Sequence, residues 1–154
     1  MDDVQLANYL AGVDPGPVIA GKVGSELAKY LDIPRGSFVL LSDYNLTKNR
    51  FRHPEMDFQD FLRLPEIIDD GFVVPGNKRR SLEITHLVSE NGRYHFWSLS
   101  LKATRTGELF ATMFRKSKLK EARRVYRRAL KQSKLIRDHK NELARRILRR
   151  ASAA

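Results

Sequence analysis

The sequence predicts an α+β fold: N-terminal helices packed on a four-stranded antiparallel β-sheet, followed by a long basic C-terminal helix. Three observations predict it. Residues 81–115 alternate apolar and polar side chains through three strand-length runs, broken at Asn91-Gly92 and at Arg105-Thr106-Gly107. Ahead of them lie stretches with apolar residues at helical spacing. After Gly107 there is neither Gly nor Pro, and 117–150 is rich in Arg, Lys, Leu and Ala, all good helix formers.

The rest of the chain is organised around this β-rich stretch. Asn-Gly accepts positive φ at both central positions of a tight hairpin turn, so Asn91-Gly92 fixes a register. Ser89 then pairs with Tyr94, Leu87 with Phe96, Thr85 with Ser98 and Glu83 with Ser100. A three-residue second loop pairs Lys102 with Phe110, Ser100 with Thr112 and Ser98 with Phe114. Side chains alternate faces. Leu82, Ile84, Trp97, Leu99, Leu101 and Met113 therefore share a core face. Glu83, Thr85, Ser98, Ser100, Lys102, Thr104 and Thr112 share the other with Phe96, Phe110 and Phe114. A hydroxyl-rich face with three phenylalanines reads equally as covered sheet or as a binding cleft.

In chain order, 2–10 reads as a short helix, ended by Asp14-Pro15-Gly16-Pro17. Val18–Leu31 reads as a helix from Ile19, Val23, Leu27 and Leu31. Phe38–Leu41 is wholly apolar and reads as a buried strand. Ser42–Pro54 is polar and basic and reads as a loop at a strand end, where functional groups tend to sit. Helices at 55–62 and Pro65–Asp70 and a short strand at Phe72–Val74 complete this half. The 3-4 repeat from Leu119 to Ile147, interrupted by Ser133 and Lys140, reads as one long helix or as two with a joint near Lys131–Asp138. Its second half is free to extend into solvent, pair with another chain or order on a polyanion. The boundaries are 1–116 for the α+β portion and 117–154 for the basic extension.

The net charge is +11. Residues 115–150 hold 16 Lys/Arg against 3 Asp/Glu, whereas 1–114 hold 13 against 15. The positive excess is thus confined to the C-terminal segment, which points to a polyanionic partner. Nucleic acid is the first candidate, an anionic membrane surface the second, an acidic protein such as an inhibitor the third. With no cysteine, disulfides, thiolate zinc sites and cysteine nucleophiles are excluded. No apolar run reaches membrane-span length, and the polar start predicts no secretory leader and a cytoplasmic location; delivery into another cell is equally compatible.

Of the four histidines, His86 and His95 fall on the core face and read as structural, and His139 reads as solvated. His53 lies in the polar loop and reads as functional. No metal-ligand spacing, phosphate loop or nucleophile elbow is present, so neither metal nor cofactor is expected. His, Lys, Arg, Thr and Ser without metal suit RNA cleavage by 2′-hydroxyl attack, which needs a base, an acid and cations for the phosphorane.

The stretch from Phe38 to Arg115 resembles the phage-associated branch of the barnase/colicin-D/RelE-like ribonuclease superfamily. The resemblance is carried by Val39-Leu40-Leu41-Ser42, His53-Pro54-Glu55-Met56, Leu64-Pro65-Glu66-Ile67-Ile68, Leu101-Lys102-Ala103-Thr104 and Thr112-Met113-Phe114-Arg115. It implies a site on the open face of a four-stranded antiparallel sheet, with His53, Lys102, Thr112 and Arg115 as catalytic residues. Strict alternation sends Arg115 to the core face, so a bulge or the strand end must turn it outward. Contacts to nucleic acid are expected from Arg50 and Arg52, from the loop triplet Lys78, Arg79 and Arg80, from Ser100, Thr104 and Phe110 on the sheet, and from Arg123, Arg124, Arg127 and Arg128 on the basic helix. The reading is a metal-independent endoribonuclease, toxin-like or phage-derived. The alternatives are a non-catalytic nucleic-acid-binding module and a phage structural or assembly protein.

Overall fold

The computed structural model describes residues 3–14 and 16–150; Asp2, Pro15 and 151–154, on which parts of the sequence reading fall, lie outside the described residues. The fold is α+β, but the sheet has six strands and is mixed. Its strands are β1 (Val18–Lys22), β2 (Phe38–Leu41), β3 (Phe72–Pro75), β4 (Ser81–Glu90), β5 (Arg93–Ala103) and β6 (Leu109–Lys116), in the order β1-β2-β6-β5-β4-β3. All neighbours are antiparallel except β2 and β6. The expected four-stranded antiparallel sheet is therefore wrong. β1 and β2 extend the sheet beyond β6, and β1 occupies residues expected to be helical. There Val18 and Ala20 are buried while Ile19 is exposed, a period of two that the sparse apolar spacing masked.

The β4–β5 register is the one Asn91-Gly92 dictates, with φ of 51° and 74° at the turn and Glu83↔Ser100 and Thr85↔Ser98 paired. The β5–β6 register holds at Lys102↔Phe110 and then slips. Leu101 pairs with Ala111 but Ser100 pairs with Met113, so Thr112 is the extra residue of a bulge. Beyond it every side chain is inverted relative to simple alternation. Phe114 enters the core, edge-on to Phe61 at 5.4 Å, and Arg115 pairs with Ser98 on the opposite face. Met113 leaves the core face it was expected to share.

Five helices cover one face: α1 (Asp3–Leu10), α2 (Ser25–Leu31), α3 (Asp43–Arg52), α4 (Phe58–Leu62) and α5 (Leu64–Asp70). α3 replaces the expected loop. Ser42 caps it, its hydroxyl accepting the N–H of Asn45. Along β6, β2 reaches only Leu109 and Phe110, and α3 takes over the edge beyond them, where Asn49 Oδ1 accepts the N–H of Phe114. Gly71 ends α5 in extended rather than left-handed backbone; a Cβ there would stand 2.7 Å from the Thr85 carbonyl oxygen, so close approach requires the glycine.

The C-terminal segment is two helices, not one. α6 (Leu119–Lys131) stops where Ser133 adopts φ 54° and the N–H of Lys134 bonds back to Ala129 O. Residues 132–141 then return to the sheet before α7 (Glu142–Arg149). The N–H of Val73 donates to Arg137 O, and the buried Arg137 guanidinium donates to Ile68 O and Gly71 O, capping α5. Tyr126, Ala129, Ile147 and Leu148 pack with Phe72, Leu87 and Phe96 into a second apolar cluster on the other face of the sheet. Phe96 thus lies under helix, while Lys102 and Phe110 do not.

This return buries His139, which is 1% exposed rather than solvated. Its ring stacks on that of His86 at 5.1 Å, and its Nε2 accepts the N–H of Leu87. His95, expected inside, is exposed near the end of the hairpin. Burial holds His139 down at about 3, with the neighbouring His86 and Arg137 acting in the same direction. Burial also lowers His86, against the opposing pull of Glu66, whose Oε2 lies 3.3 Å from His86 Nε2.

Both histidines are neutral when folded and take up protons on unfolding below their ordinary value. Stability is therefore expected to fall as pH drops from about 6.5 towards 3, by roughly 1.4 kcal/mol per pH unit for His139 alone. Urea unfolding between pH 7 and 4 measures this; a flat profile contradicts the buried neutral pair. Arg137→Ala strips the donors from two buried carbonyls and is expected to cost on the order of 3 kcal/mol in the same assay.

Candidate nucleic-acid interface

The helical layers leave a gap on the α6 side of the sheet. α6 lies over β3 and β5, and between it and the strands opens a cleft of about 530 Å³. Glu83, Thr85, Ser98 and Arg115 form its floor, all placed on one face by register and by the bulge. Arg124 and Arg128 line it from α6, Lys134 from the segment beyond, and Asn77 from the β3–β4 loop.

The floor is a hydrogen-bonded polar layer. Ser100 donates its hydroxyl to Glu83 Oε1 at 2.8 Å, the hydroxyls of Thr85 and Ser98 lie 3.4 Å apart, and Thr112 donates to Ser100 O. Glu121, in the first turn of α6, grips Arg115 with both carboxylate oxygens, at 2.8 and 3.3 Å. The bond to Glu121 raises Arg115 above its ordinary value, and that to Arg115 holds Glu121 below the usual carboxylate range. Arg124 and Arg128 are exposed and hold no hydrogen bond or ion pair among the described residues. Such a cleft can receive a chain of phosphates on its cations while a carboxylate and hydroxyls reach the sugars between them.

The expected catalytic residues are divided. Lys102, Thr112 and Arg115 lie along the open side of β5 and β6, with Lys102 opposite Phe110 and Arg115 opposite Ser98. His53 does not join them. It caps the C-terminus of α3, its N–H donating to Asn49 O and its ring 3.4 Å from Glu55. Because α3 follows β2 in the direction of β6, His53 lies towards the Lys116 end of that strand, on the order of 12 Å along it from the position opposite Lys102.

The expected nucleic-acid contacts divide as well. Arg124 and Arg128 line the cleft, and Arg127 is exposed beside them. Arg123 is occupied, donating to Ile147 O. Arg80 clamps the end of α2 to the sheet through Leu31 O, Asp32 O and Thr104 O, and Arg50 bonds Leu10 O, so both hold the fold together. Lys78 and Arg79 are exposed in the β3–β4 loop, and Arg52 is exposed on α3. Ser100 is engaged by Glu83, and Thr104 accepts the N–H of Glu108 in the second turn. Sequence reasoning left Glu121 and Lys134 out of the site. A lone acid in the first turn of a basic helix was the available signal for Glu121; nothing marked Lys134, which needs the chain reversal after α6.

Since Glu121 occupies Arg115 as an anion would, Glu121→Gln is expected to tighten binding of inorganic pyrophosphate by about fivefold, the equivalent of roughly 1 kcal/mol for a half-exposed pair. Titration calorimetry checks this; unchanged or weaker binding removes Arg115 from the anion site.

Among the described residues, no group of three or more His, Asp or Glu side chains could hold a metal ion, and no helix is long and apolar enough to cross a membrane. No family model, no curated protein and no solved structure matches this chain, so the chemistry rests on the cleft itself.

Proposed function

We propose that the protein is a metal-independent endoribonuclease and that RNA lies in the cleft between α6 and the sheet. The observation that carries this reading is the convergence of Arg115, Arg124, Arg128 and Lys134 around Glu83. The cations suit a phosphate backbone. A carboxylate on the floor, within reach of the sugars, can supply the base that transesterification needs. Glu83 takes the 2′-hydroxyl proton as that oxygen attacks phosphorus. The bond from phosphorus to the 5′ oxygen breaks, water at the cleft mouth gives a proton to the departing oxygen, the hydroxide so formed takes the proton from Glu83 and restores its carboxylate, and a 2′,3′-cyclic phosphate remains. Arg115, released from Glu121, stabilises the phosphorane charge. The resemblance of Thr112-Met113-Phe114-Arg115 to the ribonuclease superfamily supports the same reading, and the role assigned to His53 passes to Glu83. RNA makes the cytoplasm, of the producing or a recipient cell, the place of action. An acidic inhibitor would compete for the same arginines.

Two observations favour a second reading, nucleic-acid binding without catalysis: among the described residues no histidine lines the cleft, and Arg115 is already paired with Glu121.

Purified protein incubated with RNA in EDTA is expected to leave 2′,3′-cyclic ends. Glu83→Gln should lower cleavage by about 10²–10⁴-fold with RNA affinity kept, and His53→Ala should cleave at the wild-type rate. Four phosphate contacts predict a slope of log affinity against log salt of roughly −3. Tight binding without cleavage selects the second reading; cleavage abolished by EDTA contradicts the metal-free mechanism; loss of cleavage in His53→Ala moves the chemistry to the α3 end of β6.

A further inference from the structure

The sheet face that floors the cleft continues across β6, β2 and β1, and no helix of the described residues lies over it there. Register places Ile19, Leu40, Phe110 and Lys102 in one row across four strands, with Lys22 opposite Phe38 beside it. Their neighbours Val39, Leu101 and Leu109 are buried on the helix-covered face. These strands are thus apolar on both sides, although only one side is packed. Phe38 stays 47% exposed, with Lys22 Nζ 5.3 Å from its ring centroid.

We propose that this outer face is a second binding surface for single-stranded nucleic acid, on which bases leaving the cleft stack upon Phe38 and Phe110. The proposal rests on the reading of the cleft as a nucleic-acid site and extends it to the class of strand accepted. The occupant is argued from charge and continuity. The face runs unbroken into the cleft that holds Arg115, and lysines flank its aromatic rings. A flat ring next to an ammonium suits a base with its phosphate, and stacking on aromatics tolerates any base. Lys22, which shields the Phe38 ring in the free protein, would meet the phosphate when a base takes its place. A duplex keeps its bases stacked internally and has none to offer.

Fluorescence anisotropy with 2′-O-methyl oligonucleotides tests this, because they lack the attacking hydroxyl and report binding whether or not the protein is a nuclease. A 12-mer reaches beyond the cleft; a 3-mer does not. Phe38→Ala is expected to weaken the 12-mer by about tenfold or more while leaving the 3-mer unchanged. Phe51→Ala, on the exposed side of α3, should change neither, and a duplex of the same sequence should bind more weakly than the single strand. Equal 12-mer affinity for wild type and Phe38→Ala overturns the stacking surface and leaves the cleft reading standing. A concentration-dependent dimer that Phe38→Ala dissolves overturns it in favour of a self-interface. Failure of the wild type to bind either oligonucleotide overturns both readings. Binding of the expected pattern without cleavage of ordinary RNA supports this surface and contradicts only the nuclease.

Discussion

The bulge at Thr112 is the constraint on which the functional geometry depends. One extra residue in β6, opposite Ser100, inverts the strand beyond it. Without it Phe114 would face the cleft and Arg115 the core, where a guanidinium has a large desolvation cost. With it Phe114 packs against Phe61, and Arg115 reaches the face shared by Ser98, Glu83 and Thr85. The inverted segment is held from both sides. Asn49 binds the Phe114 N–H at the strand edge, and Glu121 binds the Arg115 guanidinium from α6.

The second support is the return of the chain after α6. A helix carrying this much positive charge would repel itself in solution and present a broad cationic rod. Here Ser133 turns it back, Arg137 caps α5, and His139 enters the sheet layer beside His86. The return consumes charge. Arg123, Arg137, Arg145 and Arg149 donate to carbonyls or acids of the fold. Basic composition therefore overstates the surface free to meet a polyanion, and position on the cleft decides which cations remain.

The sequence made the β4–β5 hairpin legible because Asn91-Gly92 admits one turn geometry, and pairing follows from it residue by residue. It could not reveal the bulge at Thr112, since nothing in Ala111-Thr112-Met113-Phe114 marks an extra residue locally. The need for one was visible only as the awkward placement of Arg115. α3 was hidden because its outer face carries Tyr44, Thr47 and Phe51 among basic residues, so its few inward groups, Asn45, Leu46 and Asn49, make no apolar stripe. The burial of His139 depends on contacts with Leu87 and His86, more than 50 residues away, which no local pattern encodes. Glu83, Thr85 and Ser98 on the cleft floor were legible through alternation, whereas Arg115 beside them was not; the wall, Glu121, Arg124 and Arg128, was visible only as charge.

The proposed function depends on nucleic acid entering between α6 and the sheet. Backbone amide chemical-shift mapping on titration with a 2′-O-methyl oligonucleotide tests it most directly. Saturable shifts are expected at Glu83, Ser98, Arg115, Arg124 and Arg128. Shifts confined to α7 or to the Lys78–Arg79 loop, with the cleft unmoved, would contradict it.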